Sequence, residues 1–366
     1  MKNAHALFKP FQFKSLNLKN RFVMAPMTRS FSPRGIPTRD VVNYYTRRAT
    51  ADVGLILSEG TVIDRPAASN DPDVPRFHGE SLEAWSDVID AVHAAGGKMA
   101  PQIWHMGVVP EHKSGWKPNG AFEGPSGLRK SDEALGVEMS ETDIFKTIEA
   151  FAHSANEAKK LGFDAVEIHG AHGYLIDQFF WEGTNRRKDQ YGGKTIGERT
   201  RFAVDVVKAI RALVGSEFPV IMRLSQWKGQ DYAARNADTP GEMNSWLSPL
   251  VDAGVDIFHC SQRRFWETEF PDSDLNFAGW AKKLTGKPTI TVGSVGLSDE
   301  FTRAFRGESA HPASFDNLIE RFEREEFDLV AVGRPLLTDP EWVLKIKEGR
   351  FDELKGFNRE DLGRLH

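Results

Sequence analysis

Short apolar runs alternate with longer amphipathic segments along the whole chain. Eight runs predict strands: Arg21–Ala25, Val53–Ser58, Lys98–Ile103, Ala165–His169, Val220–Leu224, Asp256–Cys260, Thr289–Val292 and Leu329–Val332. They are rich in Val and Ile and do not strictly alternate with polar residues. That is the pattern of strands covered on both faces.

Helical periodicity fills the intervals. Asp40–Ala51, Leu82–Ala95, Glu141–Leu161, Arg199–Val214 and Pro240–Ala253 carry the stronger patterns. Phe277–Leu284, Ser314–Glu325 and Pro340–Lys347 carry weaker ones. Stop signals agree: Gly96-Gly97, Gly162, Gly215 and Gly254 each follow a helical stretch. Ser140 precedes the third helix with Asp143 three residues on, a candidate N-cap arrangement.

Eight strands, each followed by a helix, predict an α/β fold of the (β/α)8 TIM-barrel type, a single domain over residues 1–366. A doubly wound open sheet is the alternative. It rarely needs eight consecutive parallel strands, and no G-x-G-x-x-G follows the first run. Two decorations are expected. Phe11–Asn20 reads as an N-terminal β-hairpin closing the bottom of the barrel. Met106–Met139 is a long loop after strand 3, rich in Gly, Pro and Ser; loops of that length in compact folds are usually functional.

Composition narrows the partners. The 366 residues are 40% hydrophobic and 27% charged, with a formal net charge of -5. That balance suits a globular protein and gives no electrostatic reason to expect nucleic acid or an anionic membrane. Cys260 is the one cysteine, so a disulfide within the chain, a zinc site or an iron–sulfur cluster built on cysteine is excluded. Met1–Pro10 lacks the apolar stretch of a signal peptide, and no run approaches a membrane span. A cytoplasmic protein, monomer or homodimer, is expected.

Polar residues stand at several strand ends: Thr28 after the first, Gln102 on the third, His169 on the fourth, Arg223 on the fifth. Gly293-Ser294 ends the seventh and Gly333-Arg334 the eighth. Taken singly, each reads as a capping or packing residue. In a barrel, however, these ends converge on one face. Glycine turns after strands seven and eight form the phosphate site frequent in such barrels, where bare N–H groups and a helix N-terminus meet the anion and Arg334 adds a planar donor. A phosphate handle implies a cofactor or a phosphorylated substrate.

His169 and His172 admit two readings. They could ligate a metal in a barrel hydrolase, but no third ligand is evident and no metal is expected. They could instead donate hydrogen bonds to a carbonyl or nitro oxygen, with the Tyr174 phenol close enough to deliver a proton.

The chain resembles the old yellow enzymes, the FMN-dependent barrel oxidoreductases that include 12-oxophytodienoate reductases. The matching segments run from Leu7-Phe8-Lys9-Pro10 to Gly333-Arg334-Pro335. They include Ala25-Pro26-Met27-Thr28-Arg29, Gln102-Ile103-Trp104-His105-Met106-Gly107, His169-Gly170-Ala171-His172-Gly173-Tyr174-Leu175 and Asn185-Arg186-Arg187-Lys188-Asp189-Gln190-Tyr191-Gly192-Gly193.

The resemblance implies roles. Pro26, Met27 and Thr28 line the flavin, with the Thr28 hydroxyl toward its O4. Gly60 lets the backbone approach the ring. Gln102 faces the pyrimidine edge, and Arg223 supports the anionic reduced ring. Gly293, Ser294, Gly333 and Arg334 hold the phosphate. His169 and His172 bind the substrate oxygen, and Tyr174 protonates the α-carbon after hydride reaches the β-carbon. NADPH or NADH is the implied reductant, and an α,β-unsaturated carbonyl compound, a nitroalkene or a quinone the implied acceptor.

Some segments depart from the family pattern. Phe180-Trp181-Glu182-Gly183-Thr184-Asn185 stands in place of the usual leucine, serine and proline before the asparagine. Gln226-Trp227-Lys228 stands where a proline often comes, and Ser261–Glu267 is unusual. Trp104, Phe265 and Trp266 are candidates either to narrow the substrate pocket or to pack loops; Trp104 is placed with the substrate-binding residues. A related iron–sulfur flavoenzyme needs more cysteines than Cys260 supplies. A non-catalytic flavin-binding scaffold would bind FMN without oxidising a nicotinamide in the presence of an enone.

Overall fold

The computed structural model describes residues 4–110, 112, 115–299 and 310–366. Eight parallel strands close into a barrel. They are β1 (Phe22–Met24), β2 (Leu55–Val62), β3 (Met99–Trp104), β4 (Val166–His172), β5 (Val220–Lys228), β6 (Ile257–Ser261), β7 (Thr289–Val292) and β8 (Leu329–Val332). Each pairs with its neighbours in sequence, and β8 pairs with β1 through Ala331 and Val23 to complete the ring. The α/β barrel expected from the pattern is the observed architecture.

The outer layer is built from α1 (Arg39–Thr50), α2 (Ser81–Ala94), α3 (Glu141–Lys160), α4 (Arg201–Val214), α5 (Pro240–Ala253), α6 (Phe277–Thr285), α7 (Asp316–Glu323) and α8 (Trp342–Lys347). Ser140 and Asp143 form a reciprocal capping box at the start of α3, satisfying N–H groups that the first turn leaves unpaired. Gly254 ends α5 with φ 116°, a conformation that favours glycine. The periodicity missed three short helices, Leu175–Phe180, Ile196–Arg199 and Arg334–Thr338. Each is barely more than one turn, too short for a 3.6-residue repeat to register.

Two apolar layers hold the barrel. One lies between strands and helices. The other fills the barrel interior with Val23, Leu55, Leu57, Ala100, Ile221, Ile257, Ile290 and Leu329. Leu16 and Leu18 of the N-terminal hairpin (Phe11–Phe13 with Leu16–Leu18) join this inner layer. The hairpin thus plugs the lower end, as its two apolar stretches predict. Among the described residues no helix is long and apolar enough to cross a membrane.

Three strands outrun their apolar segments. β2 continues to Val62, β4 to His172 and β5 to Lys228. Gly60 therefore lies inside β2 rather than after it, and His169 does not end β4. The extra residues include buried Glu59, Thr61, Ser225, Gln226 and Lys228. Hydropathy stops where side chains turn polar, but the backbone ladder goes on. The ladder register shifts between Leu57 and Gly60, and between Gly170 and His172, irregularities of the kind found at barrel rims.

The long loop Met106–Met139 carries two small strand pairs, Glu123–Gly124 with Val137–Glu138 and Leu128–Lys130 with Glu133–Ala134. Residues 111, 113 and 114 lie outside the described residues.

Candidate active site

The carboxyl ends of the strands surround a cavity of about 290 Å³. Pro26, Met27, Thr28, Gly60, Gln102, Trp104, His169, His172, Tyr174, Arg223, Gly293, Ser294, Gly333 and Arg334 all line it. Every site residue expected from the sequence is therefore brought to one cavity. The sequence reading missed Trp227, Ser261, Gln262 and Arg263, which line it too.

One end is shaped by glycine. Gly293 has φ 146°, and a Cβ there would stand 2.6 Å from the Gln262 carbonyl oxygen. Only glycine meets both conditions. Arg334 Nη2 lies 3.3 Å from Ser294 Oγ, so the two expected phosphate turns are joined by a side-chain hydrogen bond. Along one wall, a Cβ at Gly60 would stand 3.0 Å from the Trp104 ring, and the bare glycine keeps that wall flat.

The loop after β1 is pinned from below. Glu59 Oε2 accepts the Arg29 N–H at 2.8 Å and the Ser30 N–H at 3.0 Å. Burial pushes the Glu59 carboxyl up to about 7. Arg29 Nη2 donates to the carbonyls of Asp361, Leu362 and Arg364, tying the same loop to the last segment of the chain. Met27 and Thr28 are thereby presented to the cavity.

The opposite end is aromatic and polar. The His169 ring lies 4.9 Å from the Tyr174 ring and 5.2 Å from the His172 ring, both nearly edge-on. Trp104 packs on Tyr174 at 4.9 Å. Tyr174 is the residue just before the short helix Leu175–Phe180. His169 Nδ1 accepts the Ala171 N–H at 3.3 Å, which leaves Nε2 to carry the proton in the neutral ring. His172 Nε2 lies 2.8 Å from Ser261 Oγ. Burial, followed by the charge of Arg223, holds both imidazoles well below the usual histidine range. Both rings are therefore neutral at pH 7. Burial raises the Tyr174 phenol, so it keeps its proton.

A polar cluster backs the cavity. Gln102 Nε2 donates to Glu167 Oε1 at 2.7 Å, and Glu167 Oε2 lies 2.7 Å from His259 Nδ1. Strand register sets His169 opposite Arg223, and Arg223 opposite His259. Glu167 is an acidic residue within the β4 run that the sequence reading did not single out. It lies two residues before His169 on β4, and that spacing turns both to one face.

The turn at Gly173 is held by a buried ion pair. Asp177 and Lys228 lie 2.9 Å apart with fully buried side chains. Asp177 also accepts the Gly173 N–H at 2.7 Å and Asn236 Nδ2 at 2.8 Å. Lys228, one of the departures from the family pattern, thus stands behind the turn that precedes Tyr174.

Other expectations resolve differently. Phe265 is buried and Trp266 is partly exposed, and neither lines the cavity; they pack the loop against each other at 5.1 Å. No described residue of Met106–Met139 lines the cavity beyond strand β3 either. That loop packs instead, with Arg187 Nη1 donating to the carbonyls of Pro125 and Met139. The motif Asn185–Gly193 is structural: Asn185 Nδ2 donates to the carbonyls of Phe179 and Tyr191, both at 2.8 Å. Cys260 is buried. Among the described residues no group of three His, Cys, Asp or Glu is arranged to hold a metal.

The cavity suits a flat, elongated cofactor with an anionic end. Arg223, which lines the cavity, has its Nε buried without a hydrogen-bond partner among the described residues, a donor that polar ring atoms would satisfy. The glycine cradle at Gly293 and the Arg334–Ser294 pair lie at the other end. FMN fits this donor set.

A barrel with a glycine turn and the Arg334–Ser294 pair at one rim, and neutral histidines, a phenol and a buried arginine at the other, has the arrangement expected of the flavin oxidoreductase class. Residues 6–353 match the model of the NADH:flavin oxidoreductase / NADH oxidase family, and the chain belongs to that family. It is 31% identical over 361 residues to an NADPH dehydrogenase of Clostridium acetobutylicum, covering 96% of this chain and 98% of that one. It is 31% identical to an NADH oxidase of Thermoanaerobacter brockii, covering 95% of this chain but 52% of that protein. The solved old yellow enzyme homologue from Zymomonas mobilis superposes with a TM-score of 0.80 at 26% identity, covering 98% of this chain and 96% of that one. The old yellow enzyme resemblance is upheld, and with it FMN as cofactor and the NAD(P)H-dependent oxidoreductase class.

Proposed function

We propose that this protein is an ene-reductase that uses NADPH or NADH to reduce the C=C bond of α,β-unsaturated carbonyl compounds. The observation that carries the reading is the convergence of His169, His172 and Tyr174, both rings neutral and the phenol protonated, at one end of a cavity whose other end is built for phosphate.

When bound, FMN supplies the hydride, taken from the nicotinamide and passed to the acceptor. Gly293, Ser294, Gly333 and Arg334 would hold its phosphate; Pro26, Met27, Thr28, Gly60, Gln102 and Arg223 would hold the ring. His169 presents its Nε2–H to the carbonyl oxygen of the acceptor, and His172 anchors the same oxygen beside it. As donors that stay neutral they draw charge onto oxygen without competing for the proton, which makes the β-carbon electrophilic. Tyr174 delivers a proton to the α-carbon from its phenol. Trp104 and Trp227 wall the site and exclude water.

The test is direct. Purified holoenzyme with NADPH and cyclohexenone should yield cyclohexanone in step with nicotinamide oxidation. Reoxidation by every enone tried at rates no faster than by dioxygen would refute the reading.

A further inference from the structure

Glu167 ties together side chains from three strands behind the cavity. Its Oε1 takes the Gln102 amide N–H at 2.7 Å, and its Oε2 lies 2.7 Å from His259 Nδ1. Glu167 and His259 have no exposed side-chain surface, and Gln102 is buried. Both carboxylate oxygens therefore accept N–H groups.

This has consequences for polarity. A carboxylate offers no donor, so Gln102 gives its NH2 group to Glu167 and turns its Oε1 the other way. That oxygen lies 3.5 Å from where a Cβ on Gly60 would stand, on the cavity side. His259 donates through Nδ1, which leaves its buried Nε2 a lone-pair acceptor. Arg223 stands opposite His259 in the strand register, and the Glu167 charge supports its guanidinium against the cost of burial.

We propose that Glu167 is a positioning residue for FMN: it fixes the Gln102 amide so that the cavity presents an acceptor, and it offsets the Arg223 charge under the ring. The inference rests on FMN occupying this cavity, as in the proposed function. An outward oxygen at Gln102 matches the imide N–H of the flavin pyrimidine ring. An outward NH2 would set donor against donor. The charge balance matters because reduction adds negative charge to the flavin. With Glu167 present, Arg223 is partly neutralised; without it, the full cation favours the reduced form.

The test is the midpoint potential of FMN in the holoenzyme. Glu167→Gln keeps the shape and removes the charge, so the potential should rise above that of the unsubstituted enzyme. Reduction by NADPH should then quicken while reoxidation by an enone slows, a split that a loosened fold does not produce. Glu167→Asp retains the charge and should return the potential toward its original value. A Glu167→Gln potential equal to or below that of the unsubstituted enzyme overturns the proposal. Should Glu167→Gln fail to fold, the amide orientation is read in the unsubstituted enzyme loaded with 15N-labelled FMN. A slowly exchanging imide proton supports it, and exchange as fast as in free FMN overturns it. A chain that takes up no FMN at all overturns the premise itself, an outcome distinct from the others.

Discussion

The imidazole of His172 and the indole of Trp227 lie face to face, 4.3 Å between centroids and 24° between planes. Tyr232 continues the stack at 5.7 Å. The His172 backbone has φ 64°, a region unfavourable to residues other than glycine. It is held there because the His172 N–H donates to Ser225 Oγ at 2.9 Å and the His172 carbonyl accepts the Gly229 N–H at 3.0 Å. Backbone, Ser261 and Trp227 together leave the ring one orientation. A stacked pair contributes about 0.5–1.5 kcal/mol, so Trp227→Ala should raise the enone KM by about two- to tenfold. Steady-state kinetics with cyclohexenone checks this, and an unchanged KM would show that the ring keeps its place without the indole.

The buried imidazoles govern the response to acid. Burial lowers His105, His169, His172 and His259 below the ordinary histidine value. The unfolded chain takes up protons at these positions below about pH 6.5, while the fold resists them. Their stabilising effect is present above that pH and is lost as pH falls through it. Glu59 acts in the opposite sense. Raised from 4.5 to about 7, it makes the fold less stable as pH rises across that interval. In Glu59→Gln this opposing effect is removed, so the gain in stability from pH 5.5 to 7.5 should exceed that of the unsubstituted protein, by at most about 2 kcal/mol. Urea denaturation at a series of pH values measures the difference; parallel curves would contradict it.

Lys228 and Asp177 form a fully buried pair. Lys228→Met leaves the carboxylate uncompensated and should cost about 3–5 kcal/mol. Asp177→Asn combined with Lys228→Met removes both charges and should recover much of that loss. A double variant whose loss equals the sum of the two single losses would mean that the pair is not coupled.

The barrel was legible because its strands are apolar on both faces and its helices are not. Boundaries failed where chemistry begins. β2, β4 and β5 run on into Glu59, His172 and Lys228, where hydrogen bonding no longer coincides with hydropathy. Gly293 could be read from sequence because a turn that admits no side chain announces itself. Glu167 and His259 were overlooked inside apolar runs, although a charged or imidazole residue in such a run is itself a signal. Trp227 and Ser261 could not be found by spacing, since they meet His172 only through the curvature of the barrel. Loop length misled at Met106–Met139, whose described residues pack against Arg187 and its neighbours instead of lining the cavity.

The central claim is that reduced enzyme passes hydride to an enone held by His169 and His172 while Tyr174 supplies the proton. Anaerobic stopped-flow mixing of NADPH-reduced holoenzyme with cyclohexenone measures that step alone. The account predicts that Tyr174→Phe leaves flavin reduction by NADPH near its original rate and slows reoxidation by the enone about 10²- to 10⁴-fold. Reoxidation of the Tyr174→Phe enzyme at the unsubstituted rate would contradict it.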